Sequence, residues 1–370
     1  MRFLVPAKRQ PKHEIFKFVA LHAQRKGQRR RRAKLIVVAV VIAEKALIAR
    51  VRRLAKPGSS PAVLTGIGDD CAVLRLLPRP GRGQGSNDTL VTTDFSLEGI
   101  HFRRNWHSPE SVGHRCLARG LSDIAAMGGE PVAAFLSLAL PRGLPQSWVN
   151  RFTRSLISLA ERYGATLAGG DTAESPNGIL ADIVVVGTVP KGKAVLRSGA
   201  RPGDHIYVTG ALGGSAAVLQ QMRKDPKGKL KLNPRNYPRH FFPEPRIALG
   251  RTLREKGLAS AMIDTSDGLS TDLAHICEES GVGAELQAEA IPRASVGKPA
   301  RGVDLQFALH GGEDYELLFT TPSRKRIPSH IAGVPITMIG HITRLKKIFL
   351  KNQSGVGVEL RSLGWEHFRK

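Results

Sequence analysis

The apolar residues of this chain fall into short runs that alternate between a helical and a strand-like spacing, and this alternation restricts the fold more than any single motif does. Leu47, Ile48, Val51 and Leu54 recur at helical spacing ahead of Pro57-Gly58. Leu90-Val-Thr-Thr93 reads as a strand, with Asp94 at its end. Leu117, Leu121 and Ile124 mark a helix over Val112 to Met127, which Gly128-Gly129 and Pro131 would stop. A second helix is expected from about Trp148 to Tyr163, and Ile183 to Val186 has the character of a buried strand. The polar stretch from Lys191 to Asp204, with Pro202-Gly203, is the expected domain boundary. A strand from His205 to Thr209 then opens a second half. It continues with a Gly-rich turn and helix, a basic loop from Arg223 to Arg239, a helix from Leu269 to Glu279 and a last recognisable strand from Glu316 to Thr320. Both halves mix strands and helices, so the fold class is α/β or α+β, with the strand order left open. At 370 residues the chain has room for two domains.

Charge is distributed unevenly. Residues 1–43 carry twelve Lys and Arg against the single acid Glu14, which is +11 of the total +25. Their apolar run, Leu35 to Ala43, is far shorter than the roughly 20 residues that span a bilayer. It passes into Glu44-Lys45 without a small-residue cleavage site, so secretion is not expected. The segment reads as a basic extension outside the core; an RNA-binding arm and an organelle presequence are the sharper alternatives. A surplus of this size attracts polyanions without choosing among nucleotides, nucleic acid and acidic membranes. Cys71, Cys116 and Cys277 are far apart and form no CxxC pair, which fits a reducing, cytoplasmic compartment.

Against this basic background the acids gather in short groups beside Gly, Ser or Thr. They are Gly66-Ile-Gly-Asp69-Asp70, Thr92-Thr93-Asp94, Ser122-Asp123, Gly169-Gly170-Asp171-Thr172, Asp264-Thr-Ser266-Asp267-Gly268 and Gly311-Gly312-Glu313-Asp314. Hard cations such as Mg2+ take oxygen ligands, so carboxylates and hydroxyls at turns suit a metal-triphosphate complex. Each group alone is also ordinary turn or capping chemistry, and Asp264, Ser266 or Asp267 could cap the helix that follows. Asp123 differs because it lies inside a helix, where a carboxylate needs a partner. Metal binding and an ion pair with Arg119, one turn back, are equally open. His101 could meet an anionic substrate or could serve packing alone. The step from Thr209 to Ser215 lacks both the P-loop ending and the GxGxxG spacing, and reads as a tight strand-to-helix turn. GxSxG is absent, so hydrolase chemistry ranks low.

Taken in order, the motifs resemble thiamine-monophosphate kinases, members of the superfamily that includes aminoimidazole ribonucleotide synthetase and selenophosphate synthetase. The carriers are GIGDDCAVL at Gly66 to Leu74, TTDFSLEGIHF at Thr92 to Phe102, LSDIAAMGGEP at Leu121 to Pro131 and GGDT at Gly169 to Thr172. RSGARPGDHIYVTG at Arg197 to Gly210, IDTSDGL at Ile263 to Leu269 and GGEDYELLFT at Gly311 to Thr320 complete the set. The resemblance implies a two-domain synthetase-like fold after the basic extension over 1–43: an N-terminal domain over 44–195 forming the dimer sheet, and a C-terminal α/β domain over 196–370. It implies transfer of the ATP γ-phosphoryl group to thiamine monophosphate, directly and with Mg2+.

On matching positions Asp70, Thr93, Asp94, Asp123, Asp171 and Asp264 would hold Mg2+, with Thr92 and Asp267 as further candidates. Gly170, Asp171, Arg197 and Ser266 would contact ATP, and His101, Glu313 and Trp365 the thiamine monophosphate. Asp94, Asp123 and Arg197 would carry the catalysis. The implied partners are ATP, thiamine monophosphate and a second copy of the chain, with neither membrane nor nucleic acid. Residues 1–43 depart from the family, which usually begins near the Glu44 helix, and are expected to be dispensable for catalysis; the loop from Arg79 to Asn87 is long for it. The chain offers neither the reactive Cys of a selenophosphate synthetase nor the terminal Cys of the hydrogenase-maturation relatives, since it ends in Lys370. Aminoimidazole ribonucleotide synthetase is the enzyme alternative. A basic nucleic-acid-binding protein is the alternative from another class, and it lacks a recognised binding motif or aromatic platform.

Overall fold

The computed structural model describes residues 44–55, 60–75, 87–227 and 232–368. The basic extension over 1–43, the Pro57-Gly58 stop and most of the loop from Arg79 to Asn87 lie outside these residues. The first half runs α1 (Glu44–Leu54), β1 (Val63–Thr65), β2 (Ala72–Leu74), β3 (Asn87–Leu97), α2 (Pro109–Ala126), β4 (Glu130–Pro141), α3 (Gln146–Arg162), β5 (Thr166–Ser175) and β6 (Leu180–Pro190). Its strands form a six-stranded sheet in the order β1-β2-β3-β6-β4-β5. The second half runs β7 (His205–Thr209), α4 (Gly214–Arg223), α5 (Pro238–Phe241), α6 (Ile247–Glu255), β8 (Ala261–Asp264), α7 (Leu269–Ser280) and β9 (Gly283–Gln287). There follow β10 (Ser295–Val296), β11 (Arg301–Gly302), α8 (Leu305–His310), β12 (Leu317–Thr321), β13 (His330–Ile331), β14 (Val334–Thr343), β15 (Ile348–Lys351) and β16 (Gly357–Glu359). The second sheet runs β16-β15-β9-β14-β7-β12-β8, with β13 pairing β14. Among the described strands only the β4–β5 and β15–β9 pairs are parallel, which makes both layers mixed and mainly antiparallel.

Three local expectations are corrected. Asp94 lies within β3, which continues to Leu97 because β6 pairs with it along its full length from Asn87 to Leu97. Gly169-Gly170-Asp171-Thr172 is strand, since β4 pairs with it in parallel and overrides its turn-like composition. β12 is followed by four more strands.

Helix α2 organises the interior. Ser108 caps it, accepting from the Ser111 N–H at 3.3 Å, and Pro109 suits the first turn. Sixteen of its eighteen residues are buried, Arg115 and Arg119 among them, because sheet strands, α3 and α6 surround it. A Cβ at Gly120 would stand 2.6 Å from a Val185 methyl, so glycine is what lets α2 lie so close on β6. The core around α2 also takes in Met262, Leu317 and Phe319 of the second sheet, and the apolar interior is continuous between the halves. Among the described residues no helix is long and apolar enough to cross a membrane.

Candidate active site

The two halves meet at a cleft of about 430 Å³. Its polar end is made by β3, α2 and the end of β8. Along β3, Thr92 and Ser96 are buried on the face covered by α2 and Asp94 lies on that face with them, whereas Thr93 and Phe95 alternate to the open face. Thr92 Oγ1 donates to Asp123 Oδ2 at 2.5 Å. Ser122, next on α2, donates to Asp264 Oδ2 at 2.7 Å. Asp70, Asp123 and Asp264 each bring a carboxylate oxygen to within 4.8 Å of the others, from positions spread over nearly 200 residues.

These acids are gathered at an electrostatic cost. Burial, then the neighbouring Asp70, pushes Asp264 up to about 8. Burial and Asp94 raise Asp123 well above the carboxylate range. Asp94 itself rises to about 6 through burial, against the pull of Arg119. Asp69 rises to about 7 through burial and the charge of Asp70. Asp70 Oδ2 is buried without a hydrogen-bond partner. Closely spaced oxygens, an orphan carboxylate atom and raised carboxyls fit a hard divalent cation, which supplies the charge that the protein withholds.

Metal-free protein is accordingly expected to lose stability as the pH rises. The folded-state values of Asp94, Asp69 and Asp264 lie above the unfolded carboxyl value, so the folded state binds the extra protons. Stability is therefore highest below about pH 4 in this respect and falls as pH climbs through the window ending near 8. Added Mg2+ should raise Tm more at pH 8 than at pH 5, because it replaces protons at the site. A Tm flat from pH 5 to 8 and indifferent to Mg2+ would contradict the metal reading.

Arg197 Nη2 donates to Asp70 Oδ1 at 2.8 Å, and the Arg197 backbone N–H donates to Asp69 at 3.2 Å. Its guanidinium thus braces the acid group from behind. Asp267 lines the same cleft and is pushed up to about 6 by burial and then Glu44. The helix after it is capped from within by Asp272, which accepts from the Gly268 N–H at 2.9 Å, so Asp264 and Asp267 are released from capping.

The other wall carries Ser266, Glu313, His101 and Trp365. Glu313 and Tyr315 hold left-handed backbone, φ 64° and 51°, fixed by N–H bonds to Ser266 O at 2.8 Å and Thr265 O at 3.0 Å. The Glu313 carboxylate receives Arg115 at 2.7 Å and Arg119 at 2.6 Å. Burial alone would raise its pKa, but the two guanidiniums hold it well below the usual range. His101 Nδ1 accepts from the Leu97 N–H at 2.9 Å, which leaves its Nε2–H as a donor. Burial and then Arg119 push the ring down to about 3, so His101 is a neutral hydrogen-bonding group at neutral pH. Trp365 is 44% exposed and is anchored by its backbone N–H, which donates to Asp267 O at 3.0 Å.

Asp70, Thr92, Asp94, Asp123 and Asp264 therefore come together, with Asp267, Ser266, His101, Glu313 and Trp365 around the same cleft. Thr93 lines the cleft beside Asp94, with its hydroxyl donating to Asp182 at 2.7 Å. Two expected residues stand apart. Gly170 and Asp171 are exposed on edge strand β5. A Cβ at Gly170 would lie 1.8 Å from Leu136 O, so strand pairing alone demands glycine there. The choice left open for Asp123 is decided: Arg119 goes to Glu313 and to Phe95 O, and Asp123 faces the acids. Arg115, Tyr315 and Glu44 were not anticipated as site residues; the four-residue spacing of Arg115, Arg119 and Asp123 on one helix was the available signal. The strand-to-helix turn at Gly213 is confirmed, with Asp314 accepting from its N–H at 2.6 Å.

Known proteins are similar to this chain in sequence and fold. The N-terminal domain of AIR synthase related proteins matches residues 68–189 and the C-terminal domain of the same proteins matches residues 201–358. Fold and site thus define a member of the AIR synthase related class. Thiamine-monophosphate kinase of Salmonella typhimurium is 39% identical over 83% of this chain and 92% of its own, and that of Escherichia coli K12 is 39% identical over 82% and 91%. A solved structure named "AaThiL complexed with AMPPCP and TMP" aligns with TM-score 0.73 and 32% identity, covering 88% of this chain and 97% of that one. The chain belongs to the thiamine-monophosphate kinase family.

Proposed function

We propose that the protein transfers the γ-phosphoryl group of ATP to thiamine monophosphate, giving thiamine diphosphate and ADP. The carrying observation is the juxtaposition, in one cleft, of three carboxylates within 4.8 Å and a wall of aromatic and hydrogen-bonding residues. Family membership supports the same reaction, as does the complex of a relative with an ATP analogue and TMP. An acceptor phosphate oxygen bonds the γ-phosphorus while the bridging oxygen leaves on ADP with its electron pair. No general base is needed, because the acceptor is already an anion; the difficulty is bringing two anions together.

Asp70, Asp94, Asp123 and Asp264 would hold Mg2+, with Asp267 of the same cleft as a further ligand. Bound there, Mg2+ neutralises phosphate charge. Thr92 and Ser122 fix the orientation of Asp123 and Asp264, and Arg197 holds Asp70. Ser266 lies where a nucleotide phosphate would pass. His101 donates from Nε2 to the acceptor, and Trp365 offers a face for its ring system. The residues 44–195 and 196–370 act as the two domains, and the three buried free cysteines suit a cytoplasmic setting.

The working unit in this reading is a homodimer. On the open face of the first sheet Phe95 is 54% exposed, Val132 47% and Phe135 39%, with Val184 between Thr93 and Phe135 in register. Apolar patches of this kind mark interfaces. Incubation with ATP, Mg2+ and thiamine monophosphate should yield thiamine diphosphate, with inversion at a chirally labelled γ-phosphorus. Failure to form it under saturating substrates would refute the assignment, and retention of configuration would refute direct transfer.

A further inference from the structure

Helix α2 acts as a ruler along the cleft. Arg115, Arg119 and Asp123 follow at four-residue steps, so they share a face and stand roughly 6 Å apart along the axis. Asp123 belongs to the acid cluster at one end. Arg115 is committed to structure: it donates to the His240 backbone carbonyl and to Glu313 Oε2. Arg119 lies between them. Its Nη1 donates to Phe95 O at 3.0 Å and its Nη2 to Glu313 Oε1 at 2.6 Å, while its Nε is buried without a partner.

Its charge is only partly met by Glu313. Two guanidiniums share the single carboxylate of Glu313, leaving one positive charge in a side chain only 10% exposed on the cleft wall. Asp94 also acts on Arg119, which is the strongest charge that Asp94 feels, but Asp94 is among the carboxylates that would hold Mg2+, and a bound cation would draw its charge away. A buried guanidinium that lines the same cleft as Asp123, His101 and Trp365 is placed for an anion.

We propose that Arg119 contacts the phosphate of the acceptor and is a further catalytic residue of the reaction, neutralising the attacking anion from the side opposite the carboxylates. This rests on the acceptor being thiamine monophosphate. The contact makes affinity depend on the acceptor's phosphate, and that dependence separates it from a structural role. Binding of thiamine monophosphate and of thiamine, which lacks the phosphate, is to be measured by tryptophan fluorescence on the full chain as wild type, Arg119→Lys and Arg119→Met. With Arg119→Met the Kd for thiamine monophosphate should rise roughly 10- to 100-fold, the loss expected for a charge-assisted hydrogen bond. The thiamine Kd should stay within about twofold, and Arg119→Lys, which keeps the charge but loses the planar fork, should fall between.

Equal weakening of both ligands would show that Arg119 only maintains the cleft, and unchanged binding of thiamine monophosphate would show that it does not touch the phosphate. Either result overturns the proposal. If Arg119→Met does not fold, Arg119→Lys carries the same comparison, since a phosphate contact must still weaken one ligand and spare the other. Lack of turnover by the wild type would instead refute the functional assignment itself, so the two failures are distinguishable.

Discussion

Replacing Asp123 with asparagine is expected to lower turnover roughly a thousandfold, a loss of about 4 kcal/mol in transition-state stabilisation, while leaving the metal-free fold at least as stable. The activity loss follows from position. Asp123 is the member of the acid cluster that α2 delivers between β3 and β8, and an amide cannot offer the negative charge that a hard cation requires. The stability expectation follows from burial. The Asp123 carboxyl is raised well above its ordinary range, so folding near neutral pH must bind a proton, and asparagine removes that requirement. Its amide oxygen can still accept from Thr92 Oγ1. Calorimetry of the metal-free proteins and steady-state turnover at saturating Mg2+ give the two readings. Near wild-type turnover would exclude Asp123 from the site, and a large fall in Tm would show that it serves packing.

A mixture of two inactive variants should regain activity. Gly170 is in register with Leu136, Leu136 with Ile183 and Ile183 with Asp94. Three strand spacings of about 4.8 Å place Gly170 roughly 14 Å from Asp94 within one sheet. Two sheets packed face to face stand only about 10 Å apart, so the edge strand of a second copy can approach a cleft that its own chain leaves distant. If Asp171 serves the partner's site, Asp123→Asn and Asp171→Asn are complementary. In a randomly mixed dimer population, half the molecules carry both chains and one of their two sites is intact, which gives about a quarter of wild-type activity. Refolding the two variants together and assaying thiamine diphosphate formation tests this. Activity no higher than that of either parent would mean that Asp171 acts in its own chain or not at all. The exposed face bearing Phe95, Val132 and Phe135 makes the same prediction for assembly: Phe135→Asp should give a monomer by sedimentation.

Much of this molecule is legible in its sequence where short-range chemistry decides the outcome. The helical spacing of Leu117, Leu121 and Ile124 locates α2, and His205 to Thr209 is a strand over the expected residues. Side-chain type also limits function, since Asp and Thr beside Gly offer oxygen ligands whatever their surroundings. Other features depend on partners distant in sequence. Gly169 to Thr172 reads locally as a turn and becomes strand because β4 supplies a ladder. Asp94 moves from a strand end to a strand interior because β6 extends the pairing to Leu97.

Residue type and local spacing name the groups that could bind a cation or a phosphate; the packing of distant segments selects which of them meet. Arg119 has Asp123 four residues away, a spacing that permits an ion pair, yet Glu313, nearly 200 residues on, takes it. Helical geometry brings two side chains within reach without fixing their rotamers. The left-handed backbone at Glu313, pinned to Ser266, aims a carboxylate at both guanidiniums at once. That arrangement frees Asp123 to join Asp70 and Asp264, because in a buried cleft each charge goes to the partner that compensates it best.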